Sequence, residues 1–563
     1  MLASSVSPSL LFLLLLFLLL LPPPSHSADV MVTTDPVVQR VELQGAPLSH
    51  LVVDPGTGLL YVGGVDHLYQ LTSDLEVMSH VRTGPQLDSP DCLPPIVLQD
   101  CPSATSTHNH NKLLLMEEGQ GAEPGSLIVC GSLYQGICDK RSLTNISQLI
   151  YQTSNPVDTQ YVAANDPRVS TVALVITTEN KQEGAMSGGF MRLMLVGRGY
   201  TSRGPGDIPP ITTRRLFPVV PPRRAFSQEE ELGKLVVGSY SEYNNHFVKA
   251  IAYGNHAYFL FSRRDMWHKK EYRTYASRLC ISDRSFYSYV EVPLLCRGGY
   301  NLAQAASLGN HSGEPALFVI MAAGQASTPV ATGRSALCVY GMADLDAMLR
   351  RAQEVCYTEG GRGSSGTDEA YIEYAVSSKC LKLPKVNTQQ VNTEYPCGGE
   401  HTPNPIASAV PLQATPTITS TTQLTAVTTA AEAGHTIAFL GDREGQLHKV
   451  TSCTRMYMYT RVHVHACTCT RVYMYMRVHV HVHACTCTRM YMYTHVHTEC
   501  MNTCRRFLCR HVRDRQTVNH VLLSETRTVD GVFWREDVPV NIYVSATHSL
   551  TIGSGALNRP ISV

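Results

Sequence analysis

Two stretches of the chain place histidine and cysteine at alternate positions, and imidazole and thiolate are the ligands that zinc and copper favour. "RVHVHACTCTR" covers residues 461–471, and "RVHVHVHACTCTR" covers residues 477–489. Structural zinc ligands are usually spaced C-x₂₋₄-C and H-x₃₋₅-H. Ligands two residues apart on a strand lie about 6.5–7 Å from each other, too far for one ion without a sharp turn. The spacing therefore argues against a metal site.

A stricter pattern covers residues 453–498, which alternate between two sets of amino acids without exception. Cys, Arg, Tyr and His have codons that read pyrimidine–purine–pyrimidine, and Thr, Met, Val and Ala have codons that read purine–pyrimidine–purine. We therefore interpret residues 451–498 as a translated dinucleotide repeat, and we predict neither a metal site nor a cofactor. The alternative is an amphipathic strand, because two residues is also the strand period, although the segment far exceeds ordinary strand length.

The N-terminus predicts export. An unbroken run of Leu and Phe over residues 10–21 is followed by prolines and by Ser25-His26-Ser27. This pattern is typical of a secretory signal peptide over residues 1–27, and the run is shorter than the ~20 residues of a membrane span. We expect the chain to enter the secretory pathway and to be secreted, since no later stretch resembles an anchor. The formal net charge of +0 gives no indication of nucleic-acid binding.

Export changes how the 18 cysteines are interpreted, because in an oxidising compartment they are expected to form disulfides. Ten of them lie between residues 92 and 397, and eight between residues 453 and 509. Two N-x-S sequons, at Asn145 and Asn310, predict glycosylation in the same compartment.

The elements that precede the repeat read as short strands between turns. "HLVVDPGTGLLYVGGVDHLYQL" (50–71) and "GHTIAFLGDREGQLHKV" (434–450) both alternate apolar runs with Gly and Asp turns. One helix is predicted over residues 342–356. About 400 residues of such strands exceed one sandwich, whereas a β-propeller of six or seven four-stranded blades accommodates them. Residues 405–431 are predicted to be either a linker or a long loop between blades.

Several motifs in this region resemble those of one receptor family. They are "LLYVGGVDHLYQL" (59–71), "GSLYQGICDKRSL" (131–143), "VAANDPRVSTVALV" (162–175), "VGRGYT" (196–201) and "YSEYNNHFVKAIAYGNHAYFLF" (240–261), and they follow in the family's order. The chain resembles the N-terminal sema domain of plexins, the cell-surface semaphorin receptors, and within them class B plexins.

The resemblance implies an all-β fold, a seven-bladed propeller over residues 28–450 that recognises semaphorin. It also implies the five disulfides Cys92–Cys101, Cys130–Cys138, Cys280–Cys397, Cys296–Cys338 and Cys356–Cys380. Other plexin chains or co-receptors would be further partners, and the parent receptor would lie on the extracellular side of the plasma membrane and act in cell guidance. Because a plexin propeller continues beyond "GQLHKV" (445–450), we expect an incomplete last blade. Residues 499–563 are an unassigned tail, and we expect an irregular or disordered C-terminal segment.

Motifs for catalysis are missing from the sequence: there is no nucleophile elbow, phosphate-binding loop, dinucleotide fingerprint or H-E-x-x-H. We therefore predict no enzymatic activity and no small-molecule substrate. The most pronounced charged feature is "TTRRLFPVVPPRRAFSQEEE" (212–231), predicted as a solvated inter-blade loop or as a ligand-facing loop. In the second case the candidate binding residues are Arg214, Arg215, Arg223 and Arg224.

Three other functions stay open at this stage. The chain could be a propeller hydrolase of the sialidase type, which would need a convergent cluster of Arg, Glu and Tyr. It could be a non-functional product or a secreted decoy fragment, since an open ring leaves unpaired edges. It could also be another protein with a sema fold, such as a semaphorin.

Overall fold

The structure of the chain is a computed structural model. It describes residues 38–43, 47–119, 124–153, 156–159, 161–179, 190–202, 208–216, 225–227, 233–235, 240–265, 271–283, 285–325, 328–373, 379–380, 397, 405–432, 435–444, 446–458, 462–474, 479–487, 490–492, 497–500, 519–523, 534–535, 541–545 and 549–553. The predicted signal peptide over residues 1–27 lies outside the described residues.

Antiparallel groups of strands follow one another along the chain. After β1 (Val38–Glu42), the first group is β2 (Leu48–Val53), β3 (Leu60–Gly64), β4 (His67–Leu71) and β5 (Val77–Arg82). A short ribbon of β6 (Gln86–Asp88) and β7 (Thr105–Thr107) leads to the second group. That group is β8 (Asn111–Glu117), β9 (Ser126–Gly131), β10 (Cys138–Ser142) and β11 (Leu149–Tyr151).

The third and fourth groups follow two short helical turns. After α1 (Pro156–Thr159) come β12 (Thr171–Glu179), β13 (Phe190–Arg198) and β14 (Ile211–Arg215). After α2 (Tyr240–Tyr243) come β15 (His246–Tyr253), β16 (His256–Arg264), β17 (Tyr272–Cys280) and β18 (Val290–Cys296).

The fifth group contains the predicted helix and a return of the chain. It comprises β19 (Tyr300–His311), β20 (Glu314–Gly324), β21 (Ala331–Gly341), α3 (Met342–Thr358), β22 (Ala370–Ile372), β23 (Ile406–Ser408), β24 (Leu412–Ala414) and β25 (Pro416–Ser420). β25 pairs with β21, whereas β23 and β24 pair in parallel with β18 of the fourth group. The helix predicted over residues 342–356 is confirmed. Residues 405–431 are neither a linker nor a loop, because they contain these strands.

The sixth group is β26 (Leu424–Glu432), β27 (His435–Asp442) and β28 (Leu447–Met458), and the alternating segment continues from its edge. β29 (Val462–Met474), β30 (His479–Cys487), β31 (Met490–Met492) and β32 (His497–Cys500) pair in parallel there. Identical residue types face each other in this register, for example Cys453 opposite Cys469 and His463 opposite His481. The last strands are β33 (Asn519–Leu523), β34 (Trp534–Arg535), β35 (Asn541–Ser545) and β36 (Ser549–Gly553).

The hydrophobic core lies between neighbouring groups. One cluster joins Leu113 and Ile128 of the second group to Met194 of the third, and another joins Leu195 of the third to Phe259 of the fourth. A sheet that packs on both faces needs continuous apolar runs, and every residue of β3 is buried. Sheets stacked face to face in chain order are the arrangement of a β-propeller.

Candidate functional site

A chain of buried side-chain hydrogen bonds joins loops from the first three groups. The Gln135 side-chain amide donates to the carbonyls of Pro90 (2.9 Å) and Cys92 (2.7 Å). Its carbonyl oxygen accepts from Asn165 Nδ2 (2.6 Å), and the Thr201 hydroxyl donates to Asn165 Oδ1 (2.9 Å). We call the turns 133–136, 161–169 and 199–201 the loop framework. Buried and bonded in series, these amides fix the turns relative to one another.

The backbone of the first turn explains why "LYQG" occurs there. Tyr134, Gln135 and Gly136 have φ values of 52°, 64° and 81° in succession. A Cβ atom at Gly136 would lie 1.9 Å from the carbonyl oxygen of Ala163, and that residue's N–H donates to the Gly136 carbonyl at 2.9 Å. Only glycine permits this approach at a positive φ. The close contact brings the second turn of the loop framework against the first.

A buried lysine binds the backbone carbonyls of the second turn. Lys112, on β8, donates from Nζ to the backbone carbonyls of Asp166 (3.1 Å), Pro167 (3.1 Å) and Val169 (2.6 Å). Three carbonyl acceptors match the three donors of an ammonium group. The turn "NDPRV" is therefore fixed at its carbonyls, which directs its other side to solvent.

The exposed side of the loop framework is where a partner can make contact. Pro167 and Arg168 are exposed, and the Arg168 side chain, 69% accessible, pairs with Asp166 at 3.1 Å. The loop closed by Cys92 and Cys101 borders the framework through the Gln135 bond to Cys92, and it exposes three apolar side chains: Leu93, Val97 and Leu98. We call these three residues and Arg168 the loop face. Exposed apolar side chains and an exposed cation, each carried on a fixed backbone, suit protein recognition.

The arginines predicted for a ligand-facing loop are placed differently. Arg214 and Arg215 end strand β14, and Arg214 is only 2% exposed, so it cannot face a ligand. Residues 211–215 are hydrogen-bonded to the neighbouring strand β13, so this part of the chain is a strand and not a loop. Arg223 and Arg224 lie outside the described residues.

Disulfides reinforce the middle of the fold. Cys130 pairs with Cys138 across β9 and β10, and the loop disulfide Cys92–Cys101 precedes it. The other three are Cys280–Cys397, Cys296–Cys338 and Cys356–Cys380. These are the five pairs that the resemblance implies. The first of the three, Cys280–Cys397, spans 117 residues of chain. It ties Cys397, which lies between β22 and β23, to the end of β17.

Both sequon asparagines lie at the surface. Asn145 is exposed in the turn between β10 and β11, where its side-chain oxygen accepts from the Ser147 N–H at 3.0 Å. Asn310 is exposed near the end of β19. Neither side chain would have to leave the core to receive a glycan.

A fully enclosed charge cluster joins Glu373, which directly follows β22, to Arg263 on β16 and Glu291 on β18. Arg263 Nη2 contacts Glu291 Oε1 and donates to Glu373 Oε2 at 2.8 Å. The hydroxyls of Tyr289 and Tyr243 each donate at 2.7 Å, to Glu291 and Glu373 respectively. Burial raises the pKa of the Glu291 carboxyl above its ordinary value, and the Arg263 charge opposes that shift. The two carboxylates therefore share the Arg263 guanidinium.

Among the side chains that the structure describes, no three His, Cys, Asp or Glu residues are grouped so that they could hold a metal ion. The side chains of the alternating segment lie outside that set. No helix within the described ranges is long and apolar enough to cross a membrane.

Comparisons with known proteins agree with this geometry. Residues 302–481 match the family model described as "Sema domain". The chain is 48% identical to Plexin-B1 of Homo sapiens over 421 residues, which cover 72% of this chain and 19% of that protein. It is 34% identical to Plexin-B2 of Mus musculus over 412 residues, with 72% of this chain and 21% of that protein covered. The chain thus spans about a fifth of the length of these curated relatives.

A solved structure shows the same fold. The plexin A4 full extracellular region, with domains 1 to 8, superimposes with a TM-score of 0.59 at 25% identity, covering 74% of this chain and 46% of that chain. The all-β propeller predicted from the sequence is confirmed. The order of motifs, the strand groups and the family match all agree, and the chain therefore carries a sema domain of the plexin type.

Proposed function

We propose that this chain is the semaphorin-binding propeller of a plexin-like receptor and that it performs no catalysis of its own. The observation that carries the proposal is the 48% identity to Plexin-B1 over 421 residues. It binds other proteins through loops at the ends of its sheets, as propellers do. Its place is the secretory pathway and the extracellular side of the plasma membrane.

The enclosed charge cluster supports the non-enzymatic part of this proposal. A sialidase-type propeller would need Arg, Glu and Tyr in an accessible funnel, and Arg263, Glu291 and Tyr289 have that composition. Both members of the Arg263–Glu291 pair, however, have 0% side-chain exposure, so a substrate cannot reach them. Their donors and acceptors are used within the protein, which is the pattern of a structural ion pair.

We assign semaphorin docking to the loop face. Replacing Arg168 by glutamate reverses a charge that is exposed but held on a fixed turn, and we expect semaphorin binding to weaken at least about tenfold. The matched control is Arg362→Glu, because Arg362 is also exposed (70%), also pairs with an aspartate, and lies after α3. Biolayer interferometry of the secreted full-length chain against a panel of immobilised semaphorin ectodomains measures both.

Equal affinities for Arg168→Glu and the unmodified chain would contradict the assignment of the loop face and leave semaphorin binding intact. If no ectodomain of the panel bound the well-folded, secreted chain, the proposed function itself would be wrong. Loss of binding in the Arg362→Glu control to the same extent would indicate a general effect of charge.

We also propose that Asn145 and Asn310 carry glycans after removal of residues 1–27. Asn145→Gln and Asn310→Gln should each lower the apparent mass of the secreted protein by one step in gel electrophoresis, and the double variant should lower it by two, because both asparagines are exposed. Digestion with an N-glycosidase should bring all four proteins to the same mobility. An unchanged mobility in either single variant would contradict modification at that site.

A further inference from the structure

The first strands of consecutive groups form a succession that returns to its beginning. β2 lies against β8, β12 lies against both β8 and β15, and β19 lies against both β15 and β26. β26, the first strand of the sixth group, does not itself lie against β2 of the first group, so these six groups alone would leave a gap in the ring. Instead β34 lies against β26, and β33, which pairs with β34, lies against β2. The strands β33 and β34 therefore occupy the place between the sixth and the first group.

The first strand of the described chain belongs to the same place. β1 pairs with β36 in antiparallel register over five residues, from Val38 opposite Gly553 to Glu42 opposite Ser549. β36 pairs in turn with β35 in antiparallel register, and β35 pairs with β33 in parallel register. Strands from opposite ends of the chain thus share one sheet, in the order β1-β36-β35-β33-β34.

The alternating segment lies on another side of the sixth group. β29 pairs with β28, which is the outer strand of that group, and β30 continues outward from β29. β26, at the opposite side of the group, is the strand that lies against β34. The repeat therefore extends a sheet edge and does not occupy the gap in the succession.

We propose that β33, β34, β35 and β36 are the strands of the seventh blade of this propeller, closed by β1, and that the repeat strands β29, β30, β31 and β32 are an insertion between the sixth and seventh blades. The folded binding module then runs to Gly553, in place of an incomplete blade that ends at residue 450. An antiparallel outer strand from the N-terminus gives the last sheet a hydrogen-bonded partner and removes an unpaired edge. This inference does not depend on the identity of the ligand.

A pair of engineered cysteines tests the seam. Arg40, Thr551 and Tyr543 lie in one row across β1, β36 and β35. Neighbouring strands are about 4.8 Å apart, within the Cα separation of about 4.4–6.8 Å that a disulfide requires, whereas strands two apart are about 10 Å apart. In the secreted full-length chain, Arg40→Cys with Thr551→Cys should form the new disulfide in most molecules, and the control Arg40→Cys with Tyr543→Cys in fewer than about a tenth.

Peptide mapping by mass spectrometry under non-reducing conditions gives both yields. A cross-link in the first variant and not in the control supports the seventh blade. Absence of the 40–551 cross-link in secreted protein, or equal yields in the two variants, would overturn the proposal. Neither outcome involves semaphorin, so the result is independent of the proposed function.

A second measurement needs no new cysteine. Residues 507–513 in the full-length chain are replaced by the seven-residue recognition site of a sequence-specific protease, and the secreted protein is cleaved under native, reducing conditions that leave buried disulfides intact. The fragment that begins at residue 514 should co-elute with the rest of the chain in size-exclusion chromatography, because β1 and β36 remain paired. Elution of that fragment on its own would contradict ring closure.

Discussion

Replacing Cys280 and Cys397 together by alanine is expected to lower the free energy of unfolding by about 5 kcal/mol. The disulfide closes 117 residues of chain, and cross-links over longer loops remove more entropy from the unfolded state. The double variant should be secreted poorly. The protein that is secreted should unfold at a clearly lower denaturant concentration, measured by intrinsic fluorescence.

The Cys130–Cys138 disulfide is the matched control for this effect. It spans only 8 residues and links two strands that are already paired, so its removal should cost about 2.5 kcal/mol in the same model. Equal losses for the two double variants would show that native contacts, and not closure of the long loop, determine what these disulfides contribute.

Replacing Arg263 by methionine should strongly destabilise the fourth group. It would leave the carboxylates of Glu291 and Glu373 buried without their shared cation, and breaking one partner out of a buried ion pair costs about 3–5 kcal/mol. Arg297→Met is the control, because Arg297 directly follows β18 in the same group and is exposed. Its loss should cost at most about 0.5 kcal/mol.

The pH dependence separates loss of charge from loss of packing in Arg263→Met. The pKa of Glu291 is raised in the folded protein by burial, and removing Arg263 takes away the charge that opposes this shift. The folded variant then binds a proton more readily than the unfolded chain, so the ionised carboxylate is the destabilised form. The stability that Arg263→Met loses relative to the unmodified protein should be greatest at neutral pH. It should shrink as the pH falls through the folded-state pKa of Glu291.

Thermal unfolding of the unmodified protein and of Arg263→Met at about pH 7.5 and about pH 5.5 measures this difference. We expect the gap between their midpoints to narrow at the lower pH. A gap of the same size at both values would indicate that the lost contacts of the guanidinium with Tyr275 and Tyr243, at 3.9 Å and 5.3 Å from the ring centres, account for the whole effect.

The fold could be predicted from the sequence because strands and turns are indicated by residues that are close together in the chain. "LLYVGG" and "HLYQL" each carry their own apolar run and glycine break, and β3 and β4 lie where these predict. The helix at Met342–Thr358 likewise follows from its periodic apolar face of Leu345, Leu349 and Ala352. These signals need no knowledge of which strands become neighbours.

The candidate site was much less accessible, since it depends on contacts between distant segments. Gln135 and Asn165 were within motifs that identified the family, but their bond joins turns thirty residues apart. Lys112 carries no local sign that its ammonium group is buried under three carbonyls. For Arg214 the converse holds: "TTRR" has the composition of a solvated segment, whereas these residues belong to strand β14 and the Arg214 side chain is buried.

The positions of the five disulfides have a consequence for where the propeller opens. All five lie between Cys92 and Cys397, so among the described residues the covalent ties reinforce the middle of the chain. The sheet in which β1 meets β36 is held by backbone hydrogen bonds, and its separation leaves every one of these five cross-links intact. We therefore expect local unfolding to begin at this seam, at a free energy below that of global unfolding, while the cross-linked sheets stay folded.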